Sequence, residues 1–199
     1  MVNLPNIKII GLTGMSGAGK STVCEVFAKR GFSVINCDRI AMETASDRGF
    51  LNEIKNRFPD NLLNGDGSLD RAATAKVIFT DDSKRKLYDQ IIFPYIIYRI
   101  IREIRSAGGN VLLDAPTLFD AGVDMICTAI VGVTADTELC AKRITERDSI
   151  SPERAAERLS AQHGAEFFKE HCDLIIENNG TAEELIERAE KITDELKDT

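Results

Sequence analysis

The chain has 199 residues and no cysteine pattern of a cross-linked or zinc-bound protein. Cys24, Cys37, Cys127, Cys140 and Cys172 are odd in number and include no C-x-x-C pair. Reduced thiols are the simpler reading, and a disulfide framework or zinc site is disfavoured. Histidine is also scarce: His163 and His171 are the only two, too few for a His-based metal cluster. Long apolar runs are missing. The longest, near residues 91–101, contains Pro94 and Arg99 and falls short of the ~20 residues that span a bilayer. Residues 7–12 lead straight into glycines, with no basic stretch and longer apolar stretch of a secretory leader. Basic charge is in deficit, with 25 Lys and Arg against 32 Asp and Glu and a net charge of −7. That balance argues against nucleic acid or an anionic membrane as the main partner. A cytoplasmic protein is the expectation.

What the chain does have is an ordinary globular composition, 43% hydrophobic and 29% charged. Five short apolar runs read as strands: residues 7–12, 33–36, 111–114, 129–134 and 174–176. They are continuous in hydrophobicity rather than alternating, which suits a parallel sheet covered on both faces. Helical patterns lie between them. Residues 21–30 carry Val23, Val26 and Phe27 on one face, and residues 137–147 set Leu139 and Ile144 among charges. Ser151 before Pro152 marks a helix start, and Thr181-x-x-Glu184 reads as a capping box. The repeated strand–helix order predicts right-handed crossovers and a three-layer α/β domain with a five-stranded parallel sheet. Two stretches exceed this repeat. Residues 44–106 hold too much helix for one crossover and read as an inserted helical substrate lobe, with a kink expected at Pro94. Residues 143–168 are arginine-rich and read as a lid. The nucleotide-binding core would then comprise residues 1–43, 107–142 and 169–199.

The chemistry begins at Gly14-Met15-Ser16-Gly17-Ala18-Gly19-Lys20-Ser21, a G-x-x-x-x-G-K-S phosphate loop between an apolar strand and an amphipathic helix. Glycines let backbone N–H groups close around phosphates, and the helix that follows aims its positive end at them. Lys20 is expected to bridge the β- and γ-phosphates and the Ser21 hydroxyl to ligate Mg²⁺. Gly14, Ser16, Gly17, Ala18, Gly19, Lys20, Ser21 and Thr22 make up the expected ATP-binding stretch. The pattern arises by chance in such a chain on the order of one time in a hundred.

Two acids sit at strand ends, where an open parallel sheet keeps its ligand crevice. Asp38 follows the second strand and is placed to take a proton from an attacking hydroxyl. Asp114 ends the third and is placed to hold Mg²⁺ directly or through water. Taken alone, each is as readily a helix cap or a loop acid; the phosphate loop in the same chain tips both towards function. Arg143 and Arg147 share a helix face, as do Arg154 and Arg158. The first pair, on a helix that starts at the carboxyl end of the fourth strand, is expected to neutralise the transferred phosphoryl group. The second pair reads as a solvated face among Glu146, Glu153 and Glu157. Cys37 reads as a small buried residue rather than a reactive thiol.

From these residues the chain resembles the dephospho-CoA kinases almost end to end. Ile10-Gly11-Leu12-Thr13-Gly14 leads into the phosphate loop, and residues 34–41, V-I-N-C-D-R-I-A, are similar to the family's V-I-D-A-D-x-I-A segment. Gly67-Ser68-Leu69-Asp70-Arg71, then Ile78-Phe79 and Pro94, resemble G-x-L-D-R…I-V-F…H-P. Residues 114–122 are similar to D-x-P-L-L-F-E-x-G, and residues 173–180 to D-x-V-I-x-N-x-G. Arg143 to Asp148 and Ala161-Gln162 fall where the family lid lies. The resemblance implies transfer of the ATP γ-phosphoryl group to the ribose 3′-hydroxyl of dephospho-CoA, the last step of coenzyme A synthesis, with Mg²⁺. By matching position it makes Asp38 the general base, and Arg143 or Arg147 the lid cation beside Lys20. It puts Asn178 and Gly180 near the adenine, and Asp38, Asp70, Arg71 and Phe119 towards the acceptor. The chain departs from the pattern at Phe93, where the family usually has His, and at Asp120, where it usually has Glu. The lysine common after the lid Gln is not evident.

Other classes remain to be weighed. A kinase of similar architecture could use another acceptor, such as a nucleoside monophosphate. A switch GTPase would need N-K-x-D and a D-x-x-G after the third strand; the chain has neither, with Asp114-Ala115-Pro116-Thr117 at the latter place. An inactive paralogue is disfavoured by Lys20, Ser21 and Asp38. The expected partners are therefore ATP and dephospho-CoA, without nucleic acid or membrane, for a monomer or weak homo-oligomer.

Overall fold

The computed structural model describes residues 7–198. The outermost parts of the expected core segments, residues 1–6 and 199, lie outside the described residues. Five strands, β1 (Ile9–Gly14), β2 (Ser33–Asn36), β3 (Val111–Asp114), β4 (Ala129–Thr134) and β5 (Leu174–Glu177), form one sheet in the order β2-β3-β1-β4-β5. Every pairing is parallel. All six residues of β1 are buried, as its unbroken apolar run requires of a central strand covered on both faces. This is the α/β architecture with a five-stranded parallel sheet that the repeated strand–helix order predicts.

The chain divides into two compact units. The first contains the sheet with α1 (Lys20–Lys29), α6 (Thr137–Asp148), α7 (Pro152–Ser160), α8 (Ala165–His171) and α9 (Ala182–Asp198), and its core gathers Leu12, Val23, Phe27, Val131, Val133 and Ile176. Helix α1 packs on α9, and α8 on β4 and β5. The sequence signals for helix starts hold: the Ser151 hydroxyl accepts from Arg154 N–H at 3.4 Å. Thr181 and Glu184 exchange a reciprocal pair at 3.3 and 3.2 Å, satisfying donors that helix ends leave unpaired.

The second unit, Cys37–Ser106, is helical: α2 (Cys37–Thr44), α3 (Arg48–Arg57), α4 (Arg71–Thr80) and α5 (Asp82–Ala107, whose last residue falls in the first unit). It begins earlier than residue 44, because α2 starts directly where β2 ends. The sequence reading had no helix here. Helix α2 is tied to α5 by Arg39 to Glu103 at 2.7 Å and by Arg99 to Glu43 at 3.9 Å. Helix α5 runs unbroken through Pro94 and buries Ile92, Ile96, Ile100 and Ile104, one stripe at four-residue spacing. Phe50 sits edge-on to Tyr88 and Tyr95, with centroids 5.8 and 6.2 Å away. Among the described residues no helix is long and apolar enough to cross a membrane.

Candidate active site

The phosphate loop leaves β1 at a point where only glycine fits. Gly14 has φ of +140°, and a Cβ there would lie 2.1 Å from the Val133 carbonyl oxygen on β4. Gly19 has φ of +101°, and its Cβ would meet the Asn178 side-chain nitrogen at 2.6 Å. Both positions combine left-handed backbone with close approach. The loop is cross-braced by Met15 N–H to Val133 O at 3.0 Å and Ala18 N–H to Met15 O at 3.1 Å. Ala18 is fully buried.

Gly19 caps α1 without a side-chain hydrogen bond, and the first turn of that helix carries no acid. Unpaired N–H groups and the helix dipole therefore face outward with no internal anion, the arrangement that binds phosphate. Lys20, Ser16 N–H and Arg143 rest on internal acceptors. The Lys20 ammonium pairs with Asp114 at the end of β3. Asp114 also accepts from the Asn36 amide at 3.2 Å. The Ser16 N–H donates to Gln162 Oε1 at 3.3 Å, and Arg143 donates to the carbonyls of Asn178 at 3.1 Å and Gly17 at 3.4 Å. Cys24, one turn into α1, is close to Asp114; burial and that carboxylate push its thiol up to about 12, so it stays protonated.

The two candidate lid arginines thus separate. Arg143 reaches the loop, while Arg147 is bidentate with Asp148 at 2.7 and 2.9 Å and projects into solvent. That contact raises the Arg147 guanidinium and lowers the Asp148 carboxyl. Arg158 joins the same acid at 2.7 Å, the surface role expected of it, and Arg154 is exposed.

Asn178 is buried, and its side-chain nitrogen donates to Ala18 O at 2.8 Å across 160 residues of sequence. Its backbone N–H binds Thr134 O at 2.8 Å. The side chain that the resemblance puts near the adenine thus ties the phosphate loop to the end of β5. Asn179, beside it, exchanges two bonds with Asp136, at 2.8 and 2.9 Å. Gly180 is exposed, and a Cβ there would lie 1.7 Å from Glu184 Oε2.

Asp38 is exposed in the first turn of α2, two residues beyond the end of β2. In the helical unit Asp70 caps α4, accepting from Ala73 N–H at 2.9 Å, and Arg71 is the exposed first residue of that helix. Phe119 packs edge-on to Phe167 and His171, at 5.4 and 5.7 Å. Sequence reasoning placed Gln162 in the lid without a contact to the loop; its side chain reaches the loop through a turn after α7 that brings together residues 146 positions apart.

The chain is similar to known proteins over nearly its whole length. A model of the dephospho-CoA kinase family matches residues 8–184. A dephospho-CoA kinase of Fusobacterium nucleatum is 33% identical over 193 residues, covering 96% of this chain and 100% of that protein. One of Arabidopsis thaliana is 31% identical over 196 residues, covering 96% of this chain and 84% of that protein. A crystal structure from Thermus thermophilus superposes with a TM-score of 0.81 at 28% identity, over 96% of this chain and 99% of that one. The resemblance read from the residues is borne out, and the chain belongs to the dephospho-CoA kinase family: it is a P-loop kinase of coenzyme A biosynthesis.

Proposed function

We propose that this kinase moves the γ-phosphoryl group of ATP to the ribose 3′-hydroxyl of dephospho-CoA through the residues just described. The observation that carries the reading is the phosphate loop itself. It has an uncapped helix start, and Lys20, Ser16 N–H and Arg143 beside it rest on acceptors that a phosphate oxygen can replace. Lys20 exchanges Asp114 for the β- and γ-phosphates. Ser16 N–H exchanges the Gln162 oxygen for a phosphate oxygen. Arg143, held at the loop by two carbonyls, is the lid cation that answers charge developing on the transferred group. Arg147 takes no part in that contact.

Asp38 acts as the general base, on the strength of its place after β2 and its match to the family's acid. It takes the proton of the attacking hydroxyl as the phosphoryl group is transferred, and ADP leaves from the loop. Asn178 keeps the loop in shape rather than touching adenine with its side chain. Asp70 and Arg71, at the start of α4, order the acceptor.

Mg²⁺ fits the donors present. Ser21 offers a hydroxyl in the first exposed turn of α1, and Asp114 a half-buried carboxylate with lone pairs left after its two contacts. Both are hard oxygen ligands of the kind Mg²⁺ takes, with water and phosphate oxygens completing its shell. When bound, the ion neutralises phosphate charge. Release of Asp114 from Lys20 is what this chain contributes to that exchange.

Incubation with Mg-ATP and a panel of dephospho-CoA, nucleoside monophosphates and no acceptor tests the reading through ADP release and product mass. Coenzyme A formed from dephospho-CoA alone is the expected result. Acceptor-independent hydrolysis, or preference for a nucleoside monophosphate, overturns it.

A further inference from the structure

Asn36 and Asp114, the last residues of β2 and β3, are register partners on adjacent parallel strands. The sheet ladder itself brings their side chains together, since a slip of one residue would turn either to the other face. The Asn36 amide donates to Asp114 Oδ2 at 3.2 Å, and the Lys20 ammonium takes Oδ1. Each oxygen of this carboxylate thus has its own side-chain donor, one neutral and one charged. Lys20 is the one cation in ion-pair contact with Asp114 among the described residues. The Lys20 and Asp114 side chains are only 18% and 15% exposed, so water has limited access to the pair.

That arrangement sets a condition on the exchange of Asp114 for phosphate. When Lys20 turns to the phosphates, Asp114 loses its counter-ion while its side chain stays mostly covered. A covered carboxylate without its cation is costly unless hydrogen bonds hold it. The Asn36 amide already does so, and its short side chain on a paired strand gives it little freedom to follow Lys20. The Cys24 thiol, a weak donor, lies close by as well.

The neutrality of Asn36 matters equally. The family's V-I-D-A-D-x-I-A segment has Asp at this place, where this chain has an amide of the same size. A second carboxylate here would hold the ammonium as well, and phosphates would have to draw it from two anions instead of one.

We propose that Asn36 is a positioning residue for nucleotide binding: its amide holds Asp114 while Lys20 moves to the phosphates, which makes the exchange that admits ATP less costly. The inference rests on Lys20 being the phosphate contact and is independent of which acceptor is phosphorylated.

The test is calorimetric titration of ATP, without acceptor and with magnesium chelated, into the whole protein and its Asn36→Ala and Asn36→Asp variants. Asn36→Ala is expected to weaken ATP binding about tenfold, the size of one hydrogen bond to a charged group. Asn36→Asp, which keeps the size, is expected to weaken it further, because it adds an anion beside Lys20. That order separates positioning from a structural role, under which the more drastic change, to Ala, does the greater harm. Melting curves without nucleotide should differ little, since Lys20 still answers Asp114 in the empty site. Unchanged affinity in both variants overturns the inference, as does a loss larger for Ala than for Asp. If the Ala variant does not fold, the Asp variant decides alone, and an unchanged affinity in it overturns the inference. Lys20→Ala separates the inference from the reading beneath it. Unchanged ATP affinity in that variant removes Lys20 as the phosphate contact, and the inference with it. An affinity that falls there but not in the Asn36 variants removes the inference alone.

Discussion

The two units of this chain are held together by different means. Around the phosphate loop, backbone packs on backbone: Gly14 lies against Val133, Ala18 is buried, and Asn178 bonds to the Ala18 carbonyl. The helical unit uses one isoleucine stripe and several exposed ion pairs, such as Arg39 with Glu43 and Glu103. Such surface pairs are worth about 0–1 kcal/mol each. The difference teaches where positional precision lies. Transfer of a phosphoryl group needs groups held to fractions of an ångström, which close-packed backbone supplies. Holding a long acceptor, the role proposed for the helical unit, tolerates a surface whose side chains can be exchanged at small cost.

That contrast can be broken most severely at the one catalytic side chain assigned to the helical unit. Asp38→Asn should cut turnover roughly 10²–10⁴-fold while ATP binding persists. Stopped assays with saturating acceptor and nucleotide titration check both halves; normal turnover removes Asp38 as the base. Next comes the loop. Gly14→Ala places a Cβ against the Val133 carbonyl in left-handed backbone and should cost on the order of 3 kcal/mol or abolish nucleotide binding, as read by denaturant melts and ATP titration. A substitution in the helical unit of similar chemical size, Ala72→Ser on the exposed face of α4, should stay within about 0.5 kcal/mol.

Asn178→Ala comes third. It leaves the Ala18 carbonyl without its donor and should cost about 1–3 kcal/mol, with weaker ATP affinity measured by calorimetry. An Asn178 that contacts adenine instead would change the preference among nucleoside triphosphates with little loss of stability. The smallest effect sharpens the comparison through pH. The Asp47 carboxyl is held below its ordinary value by Arg99, and by N–H groups of Gly49 and Phe50. Because the folded value is depressed, its contribution is present above the ordinary carboxylate range and is lost as pH falls through the folded value. Acid melts below about pH 4 should therefore weaken the helical unit in the native protein, and Asp47→Asn should flatten that dependence. An equally steep acid transition in the variant would assign it to other carboxylates.

Much of the core was readable in the sequence because its signals are local. Residues 33–36, 111–114 and 129–134 become β2, β3 and β4 with the boundaries expected, since a run of apolar, β-branched residues dictates a buried strand on its own. The first strand begins at Ile9 and extends to Gly14, two residues past the expected end, because β4 continues to pair with it there. Helix α2 escaped notice: charges at Asp38, Arg39 and Glu43 obscure its short buried face, and it lacks the loop that normally separates strand from helix.

The sequence by itself determined the phosphate loop, the parallel strands and, through the L-D-R and P-x-L-F segments, the family. Each of these is carried by neighbours along the chain, where covalent spacing fixes geometry. Only the tertiary structure decided that Arg143 rather than Arg147 reaches the loop, and that Asn178 clamps Ala18. It also decided that Gln162 covers Ser16 N–H. Each of these joins residues more than 100 positions apart. No local pattern encodes such pairings, because a hydrogen-bonding side chain has the same letter whether its partner is a distant carbonyl, another side chain or a substrate.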